Sequence, residues 1–149
     1  MGLDAVVYRP LNEVPLPSGI DPTNVVVDEV TGETYFDDAS RVKLPRETAI
    51  AVKRRLGNMT HIQFLHDQFS KLFADHRQSS RLLNAVLYSG THAGDYIPGS
   101  DIYRLRDEIE SVKNTFKDAE LLPEVVDFLS DMEALVVAAE RTGNPIVFI

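Results

Sequence analysis

The sequence contains no cysteine. This absence excludes disulfide bonds, thiol nucleophiles and cysteine-ligated zinc, and it suits a reducing compartment. No stretch approaches the ~18 consecutive apolar residues that a membrane-spanning helix requires. The first residues include an early acid, Asp4, and no basic region, so no secretory signal is predicted. These features predict a cytoplasmic protein without a membrane segment.

Positive charge is also scarce, because 15 lysines and arginines stand against 23 acids and give a net charge of −8. Such a balance repels the phosphate backbone of nucleic acids, so no nucleic-acid partner is predicted. Two interpretations of the acidity remain open. It provides ordinary solubility, for which a net charge of magnitude ~2–8 is common, or it attracts a basic protein partner by electrostatic steering.

The hydrophobic pattern predicts one α+β domain over residues 1–149, with a small mixed sheet of four or more strands and about four packed helices. Runs of β-branched and apolar residues between turn residues predict strands over residues 3–8, 25–30, 33–36, 82–88 and 145–149. Helical periodicity predicts helices over residues 45–56, from 58 or 60 to 76–80, 100–116 and 123–142.

Individual residues set several of these boundaries. Pro45 is suited to the first position of a helix that ends at Leu56 with Gly57 as the residue after it, and Thr60 with Gln63 forms the spacing of a capping box. Ser100 is a candidate N-cap. The wholly apolar residues 145–149 predict a central strand that is buried on both faces. Gly32 can supply the positive φ of a tight turn between the two hairpin strands.

The densest group of polar side chains lies in a loop after the predicted strand 82–88. Ser89 or Thr91 is a candidate nucleophile, His92 its general base and Asp95 the acid that orients the base. The loop lacks the G-x-S-x-G spacing of a nucleophile elbow. A ligand-binding loop and an ordinary tight turn, in which His92 and Asp95 bond to the backbone, are the alternatives.

Acidic residues crowd the predicted hairpin and the residues that follow it. One interpretation is a solvated sheet edge that discourages pairing with other chains, and the other is an acidic face for a basic partner. The basic run at residues 53–55 would complement the dipole of a helix ending there. The candidate partner-binding residues are Asp28, Glu29, Glu33, Tyr35, Asp37 and Asp38.

The four histidines do not form a recognisable metal motif. His61 and His66 are five residues apart on a predicted helix, so they diverge by about 140° and do not share one ion. Neither a metal nor a cofactor is predicted.

Three segments in order give the chain a resemblance to a known family. They are the stretch 86–89 with its glycine- and aspartate-containing loop, the helix 102–112, and the final helix running into residues 143–148; in addition, the opening residues 1–8 look like the first strand of small bacterial immunity proteins. Together they resemble bacterial polymorphic-toxin immunity proteins of the immunity protein 70 type. Residues 11–38 have no counterpart in that family. The resemblance implies a cytoplasmic antitoxin that binds and neutralises a cognate toxin and is not an enzyme.

The sequence thus predicts a toxin-binding protein, with a small hydrolase or ligand-binding enzyme at the Ser89–Asp95 loop as the alternative. A third interpretation is a self-associating protein that uses its apolar C-terminal strand as an interface. The sequence does not indicate the oligomeric state.

Overall fold

The computed structural model describes residues 2–36 and 44–149. A four-stranded sheet forms the centre of the fold, and a hairpin forms a second, two-stranded sheet. The strands are β1 (Gly2–Tyr8), β2 (Val25–Val27), β3 (Thr34–Phe36), β4 (Ile50–Asn58), β5 (Tyr96–Ile97) and β6 (Ile146–Phe148). The α-helices are α1 (Met59–Leu72), α2 (Gly99–Thr115) and α3 (Pro123–Thr142). None of the helices in the described ranges combines the length and apolar character needed to span a membrane.

The central sheet has the order β4-β1-β6-β5, and the α+β class is confirmed. Its described pairings are all antiparallel, where a mixed sheet was predicted. The neighbours β5 and β6 are joined through two helices, α2 and α3, instead of the single crossover helix of a parallel pair. The short β6 is buried along its whole length, as its apolar sequence predicted. It pairs with β1 on one side and β5 on the other, so its edges are not available for self-association.

The two faces of the central sheet are covered differently. Side chains of β1 alternate, so Ala5 and Val7 join the large core under the helices, whereas Val6 and Tyr8 join a small cluster on the opposite face. The predicted apolar stripes of the helices all face the large core. Their buried members are Ile62, Leu65 and Phe69 in α1, Ile102, Leu105, Ile109 and Val112 in α2, and Val125, Phe128, Leu129, Met132, Leu135, Val136 and Ala139 in α3; Phe73, Leu72 and Phe116, which were also predicted in these stripes, pack against the same core.

The predicted helix over residues 45–56 is wrong. A 3₁₀ turn (Arg46–Ala49) is followed by the long strand β4, which pairs with β1 along its length. Local helix propensity is outweighed here because β1 is an inner strand whose backbone groups need a partner on this side. The basic run lies on a strand and does not complement a helix dipole. Its side chains form ion pairs, between Lys53 and Asp4, Arg55 and Asp4, and Arg54 and Asp131.

The start of α1 near residue 58 is confirmed, but the predicted capping box is not formed. The side chain of Asn58 accepts a hydrogen bond from the backbone N–H of His61 at 2.8 Å and so provides the N-cap. Gln63 instead donates to Asp67, one turn further along the helix. The helix ends at Leu72, before the predicted limit.

The predicted strand over residues 82–88 is also wrong, because a π-helical segment (Leu82–Val86) occupies most of it. Leu82, Leu83, Val86 and Leu87 are buried, and their spacing of one, three and one residues fits one helical face as well as a buried strand. Helix α2 begins at Gly99 after Pro98, so Ser100 lies in its first turn and does not cap it. Helix α3 runs as predicted and ends at a left-handed glycine.

Candidate functional site

The hairpin predicted around residues 31–32 is present as the pair β2–β3. Its connection is closed by two backbone hydrogen bonds of 2.9 Å, from Asp28 N–H to Glu33 and from Gly32 N–H to Asp28. Gly32 has φ of +75°, which is the left-handed conformation expected of it. The sequence signal therefore located both strands and the glycine of the turn, but residues 28–30, which were predicted as strand, lie in the connection because β2 ends at Val27.

Two of the predicted acidic contact residues act within the protein. The Asp28 carboxylate accepts hydrogen bonds from the backbone N–H groups of Val30 and Thr31, both at 2.8 Å. These bonds lower the pKa of Asp28, with the N–H of Thr31 contributing most. Glu33 forms an ion pair of 3.5 Å with Arg46. Both acids therefore stabilise the hairpin and its attachment.

The remaining predicted acids have different positions. Glu29 is exposed and has no hydrogen-bond or ion-pair partner within residues 2–36 and 44–149. Asp37 and Asp38 lie outside the described residues. Glu29 is thus the described hairpin acid that is available to a partner.

The hairpin is fixed to the sheet by contacts around Tyr8. Arg46, which pairs with Glu33, also donates a hydrogen bond to the buried Tyr8 hydroxyl at 3.2 Å. Burial raises the pKa of Tyr8, so the hydroxyl stays protonated at neutral pH. The Asn144 side chain donates to the backbone carbonyl of Tyr8 at 2.8 Å. Gly32 packs closely against the side-chain amide of Asn144. The approach is so close that a Cβ atom added at position 32 would collide with Oδ1 of Asn144.

Large apolar side chains are exposed on the hairpin. Tyr35 on β3 is 42% exposed, Val27 at the end of β2 is 39% exposed, and Val30 in the connection is 51% exposed. Glu29 lies between the two valines in the sequence. We define these four residues, Val27, Glu29, Val30 and Tyr35, as the hairpin surface. Val27 and Tyr35 lie on opposite faces of the strand pair, because Val27 is paired with Thr34 and Tyr35 with Val26.

The Ser89–Asp95 loop does not assemble a nucleophile, base and acid. Nδ1 of His92 lies 3.1 Å from the carbonyl oxygen of Gly90, and its Nε2 is buried without a hydrogen-bond partner among the described residues. Ser89 and Thr91 are exposed and make no side-chain hydrogen bond within that part of the chain. Asp95 accepts a hydrogen bond from the Tyr88 hydroxyl instead of orienting His92.

The His92 ring has a structural position. It stacks on Tyr88 with ring centroids 3.9 Å apart and meets the edge of Phe148 at 5.8 Å. The loop backbone also bonds to β6, through Gly94 N–H to the carbonyl of Phe148 and Phe148 N–H to the carbonyl of Asp95. The loop backbone therefore extends the pairing of β5 with β6. This arrangement is what the interpretation of the loop as an ordinary turn predicts.

A polar groove between residues 73–81 and α2 was missed at the sequence level. Glu108 is its most buried carboxylate, and it accepts hydrogen bonds from the Ser80 hydroxyl, from Arg81 N–H at 2.7 Å and from Leu82 N–H at 3.4 Å. Burial raises the Glu108 pKa despite these bonds. The sequence signal that could have revealed the groove was Glu108, an acid next to Ile109 of the apolar stripe of α2. The groove is lined by Phe73, His76, Gln78, Ser79, Ser80, Arg81, Arg104, Asp107, Glu108 and Ser111.

No group of three or more histidine or carboxylate side chains with metal-binding geometry occurs within residues 2–36 and 44–149. The chain matches no protein-family model, no curated protein and no solved structure in comparisons with known proteins. The function is therefore argued from the side chains described above.

Proposed function

We propose that the chain is a protein-binding module of the immunity type, which neutralises a cognate toxin by direct contact through the hairpin surface. The observation that carries the proposal is the exposure of Tyr35, Val27 and Val30 together on one hairpin. An exposed tyrosine is typical of the residues that contribute most to protein–protein affinity, and Tyr35 shares its face of the hairpin with the half-buried Val26, its cross-strand partner. The sequence resemblance supplies the class of partner.

The attachment of the hairpin supports this use of its surface. The contacts of Glu33 with Arg46 and of Gly32 with Asn144 hold both the strand and the turn against the sheet. A surface that is already ordered loses less conformational entropy on binding, so more of the contact energy appears as affinity. The hairpin is thereby suited to present Tyr35 in one orientation.

The charges change the expected character of the interface. Asp28 and Glu33 are engaged within the protein, so the hairpin does not present a continuous acidic face. Glu29 contributes a negative charge at the rim, where it attracts a basic partner and raises the association rate more than the affinity.

Rescue of cells that express the toxin tests the proposal. The resemblance predicts that the toxin is the product of the neighbouring gene. The two proteins are co-expressed to measure rescue of growth, and the purified proteins are titrated by calorimetry to measure affinity. Tyr35→Ala should weaken binding by about 30-fold or more, the loss expected at a central interface residue. Tyr103→Ala is the matched control, since Tyr103 on α2 is similarly exposed, at 48%, but lies outside the hairpin.

The wild-type protein and the Tyr103→Ala variant should both rescue growth. Equal death with and without the wild-type chain contradicts the immunity role. Equal binding by the two tyrosine variants leaves an immunity role intact but contradicts the hairpin surface as the contact site.

A further inference from the structure

We propose that the groove between residues 73–81 and α2 binds a small anionic ligand, whose carboxylate or phosphate group is held by Arg81 and Arg104. This inference is independent of the toxin-binding proposal, because it concerns the helical side of the molecule and a small molecule. Its basis is the placement of two arginines at one cavity with few acceptors for their N–H groups.

The groove has the dimensions of a small-molecule site. Its volume is about 520 Å³, within the ~300–1,000 Å³ range of such sites. The buried Phe73 gives it an apolar wall, and Gln78 and Ser111 add polar side chains that make no hydrogen bond among the described residues. A ligand can therefore place an apolar or neutral body against these residues while its charged group meets the arginines.

The arginine pair is incompletely compensated by the protein. Arg81 Nη2 and Arg104 Nη1 each lie 3.8 Å from the same oxygen, Oδ1 of Asp101, which is too far for a hydrogen bond. One Asp101 oxygen thus lies between two guanidinium groups, and the Glu108 carboxylate is also close enough to Arg81 for that charge to act on the pKa of Glu108. Arg104 also donates through Nε to the Tyr103 hydroxyl at 3.0 Å. The other N–H groups of both side chains have no acceptor among the described residues.

Guanidinium groups arranged in this way fit an oxyanion. Each presents a planar fork of donors that matches two oxygens of a carboxylate or phosphate, and such paired bonds are stronger than single neutral ones. The two side chains are 35% and 52% exposed, so a ligand has access to them. Arg81 is also held in place, because its backbone N–H is bonded to Glu108 at 2.7 Å.

The acids of the groove do not cancel this site. The Glu108 carboxylate is directed to the Ser80 hydroxyl and the N–H groups of Arg81 and Leu82, which already satisfy it. Asp107 has its own cation, since Arg106 lies 3.4 Å from it. The cations that remain available in the groove are the two arginines that share Asp101.

Titration of the whole protein with two probes tests the proposal. Inorganic phosphate and succinate are added separately, against sodium chloride at equal ionic strength, and the backbone amide resonances of residues 76–82 and 101–111 are followed. At least one probe should give saturable shifts confined to these segments, and chloride should not. Saturation by phosphate alone or by succinate alone identifies which oxyanion the site prefers.

The variants Arg81→Gln and Arg104→Gln should each raise the dissociation constant at least tenfold. Lys113→Gln is the control, because Lys113 lies on the same helix, is ion-paired with Glu133 and does not line the groove. Its affinity should stay within twofold of the wild type. Far-UV circular dichroism and thermal unfolding establish that each variant is folded. Non-saturable shifts that match those in chloride, or undiminished binding by both arginine variants, overturn the proposal.

Discussion

The two faces of the central sheet are stabilised by different interactions. On one face, three α-helices bury a large apolar core that includes Ala5 and Val7 of β1. On the other, Val6 and Tyr8 belong to a small cluster, and the hairpin is attached beside it by Arg46, Asn144 and Glu33. The helical face is therefore the main source of folding stability, whereas the hairpin face positions an exposed surface. Substitutions on the two faces should differ in both size and kind.

The largest effect is expected in the core of the helical face. Phe69 is fully buried and its ring contacts those of Phe73 and Phe128, with centroids 5.7 and 5.5 Å away. Phe69→Ala removes these contacts and leaves a cavity, so it should lower the free energy of unfolding by about 3–5 kcal/mol. Urea denaturation measures the loss. Val137→Ala is the control, since Val137 is 60% exposed on α3, and its effect should lie within about 0.5 kcal/mol.

The next effect is expected at Glu108. Glu108→Ala leaves the Ser80 hydroxyl and the N–H groups of Arg81 and Leu82 without their acceptor, which should cost about 1–3 kcal/mol of unfolding free energy. Glu110→Ala is the control on the same helix, because Glu110 is exposed and makes no hydrogen bond among the described residues. Equal denaturation midpoints for the two variants would contradict a stabilising role of Glu108 as the hydrogen-bond acceptor for these groups.

Glu108 also gives a pH dependence with a defined sign. Its pKa is raised in the folded protein by burial, so the folded state binds a proton more readily than the unfolded chain does. The contribution of Glu108 to stability is therefore greatest below its unfolded pKa, and it falls as the pH rises through the folded value. The unfolding free energy of the wild type, relative to Glu108→Gln, should decrease as the pH rises from the ordinary carboxyl pKa of 4.5 through the folded value. An increase over that interval contradicts the assigned shift.

At the hairpin, we expect a smaller loss of unfolding free energy than in the core, together with a larger change in local amide hydrogen exchange. Gly32→Ala combines an unfavourable positive φ with a collision against Asn144, and should cost roughly 2 kcal/mol while detaching the turn. Gly19→Ala is the matched control: Gly19 has φ of +86° but open space around it, and should cost about 1 kcal/mol. Amide hydrogen exchange should quicken in β2 and β3 only for Gly32→Ala. Similar exchange in both variants contradicts the docking of the turn.

The smallest effect is expected at Asp28. Asp28→Asn retains a side-chain oxygen for the N–H groups of Val30 and Thr31, whereas Asp28→Ala removes it. The amide resonances of these two residues should keep their positions in the first variant and shift in the second. Because the Asp28 pKa is lowered, this support is present above the unfolded pKa and is lost as the pH falls through the folded one. Weaker toxin binding by Asp28→Asn with an intact turn would restore Asp28 as a contact residue.

The sequence predicted the parts of the fold that repeat a local pattern. The stripes of α2 and α3, the central β6 and the left-handed Gly32 all depend on periodicity or on a single residue's conformational preference. Strand β4 and the segment Leu82–Val86 were missed because their structure depends on distant partners, β1 for the former and Glu108 for the latter. Local propensity contains no information about such contacts.

The candidate sites show the same limit. The sequence located acids on the hairpin, but only the structure shows that Asp28 and Glu33 bond within the protein and that Tyr35 is exposed beside them. The groove arginines, Arg81 and Arg104, are 23 positions apart in the chain and meet through Asp101. Neither arrangement follows from spacing, because each depends on how separate elements pack.

The most direct test of the central claim is amide hydrogen exchange of the chain alone and in complex with the product of the neighbouring gene. If the hairpin surface is the contact site, amides of β2, β3 and their connection should exchange more slowly in the complex, by at least tenfold. Amides of α2 should keep their rates. Slower exchange along α2 with unchanged rates in the hairpin would contradict the division of roles between the two faces.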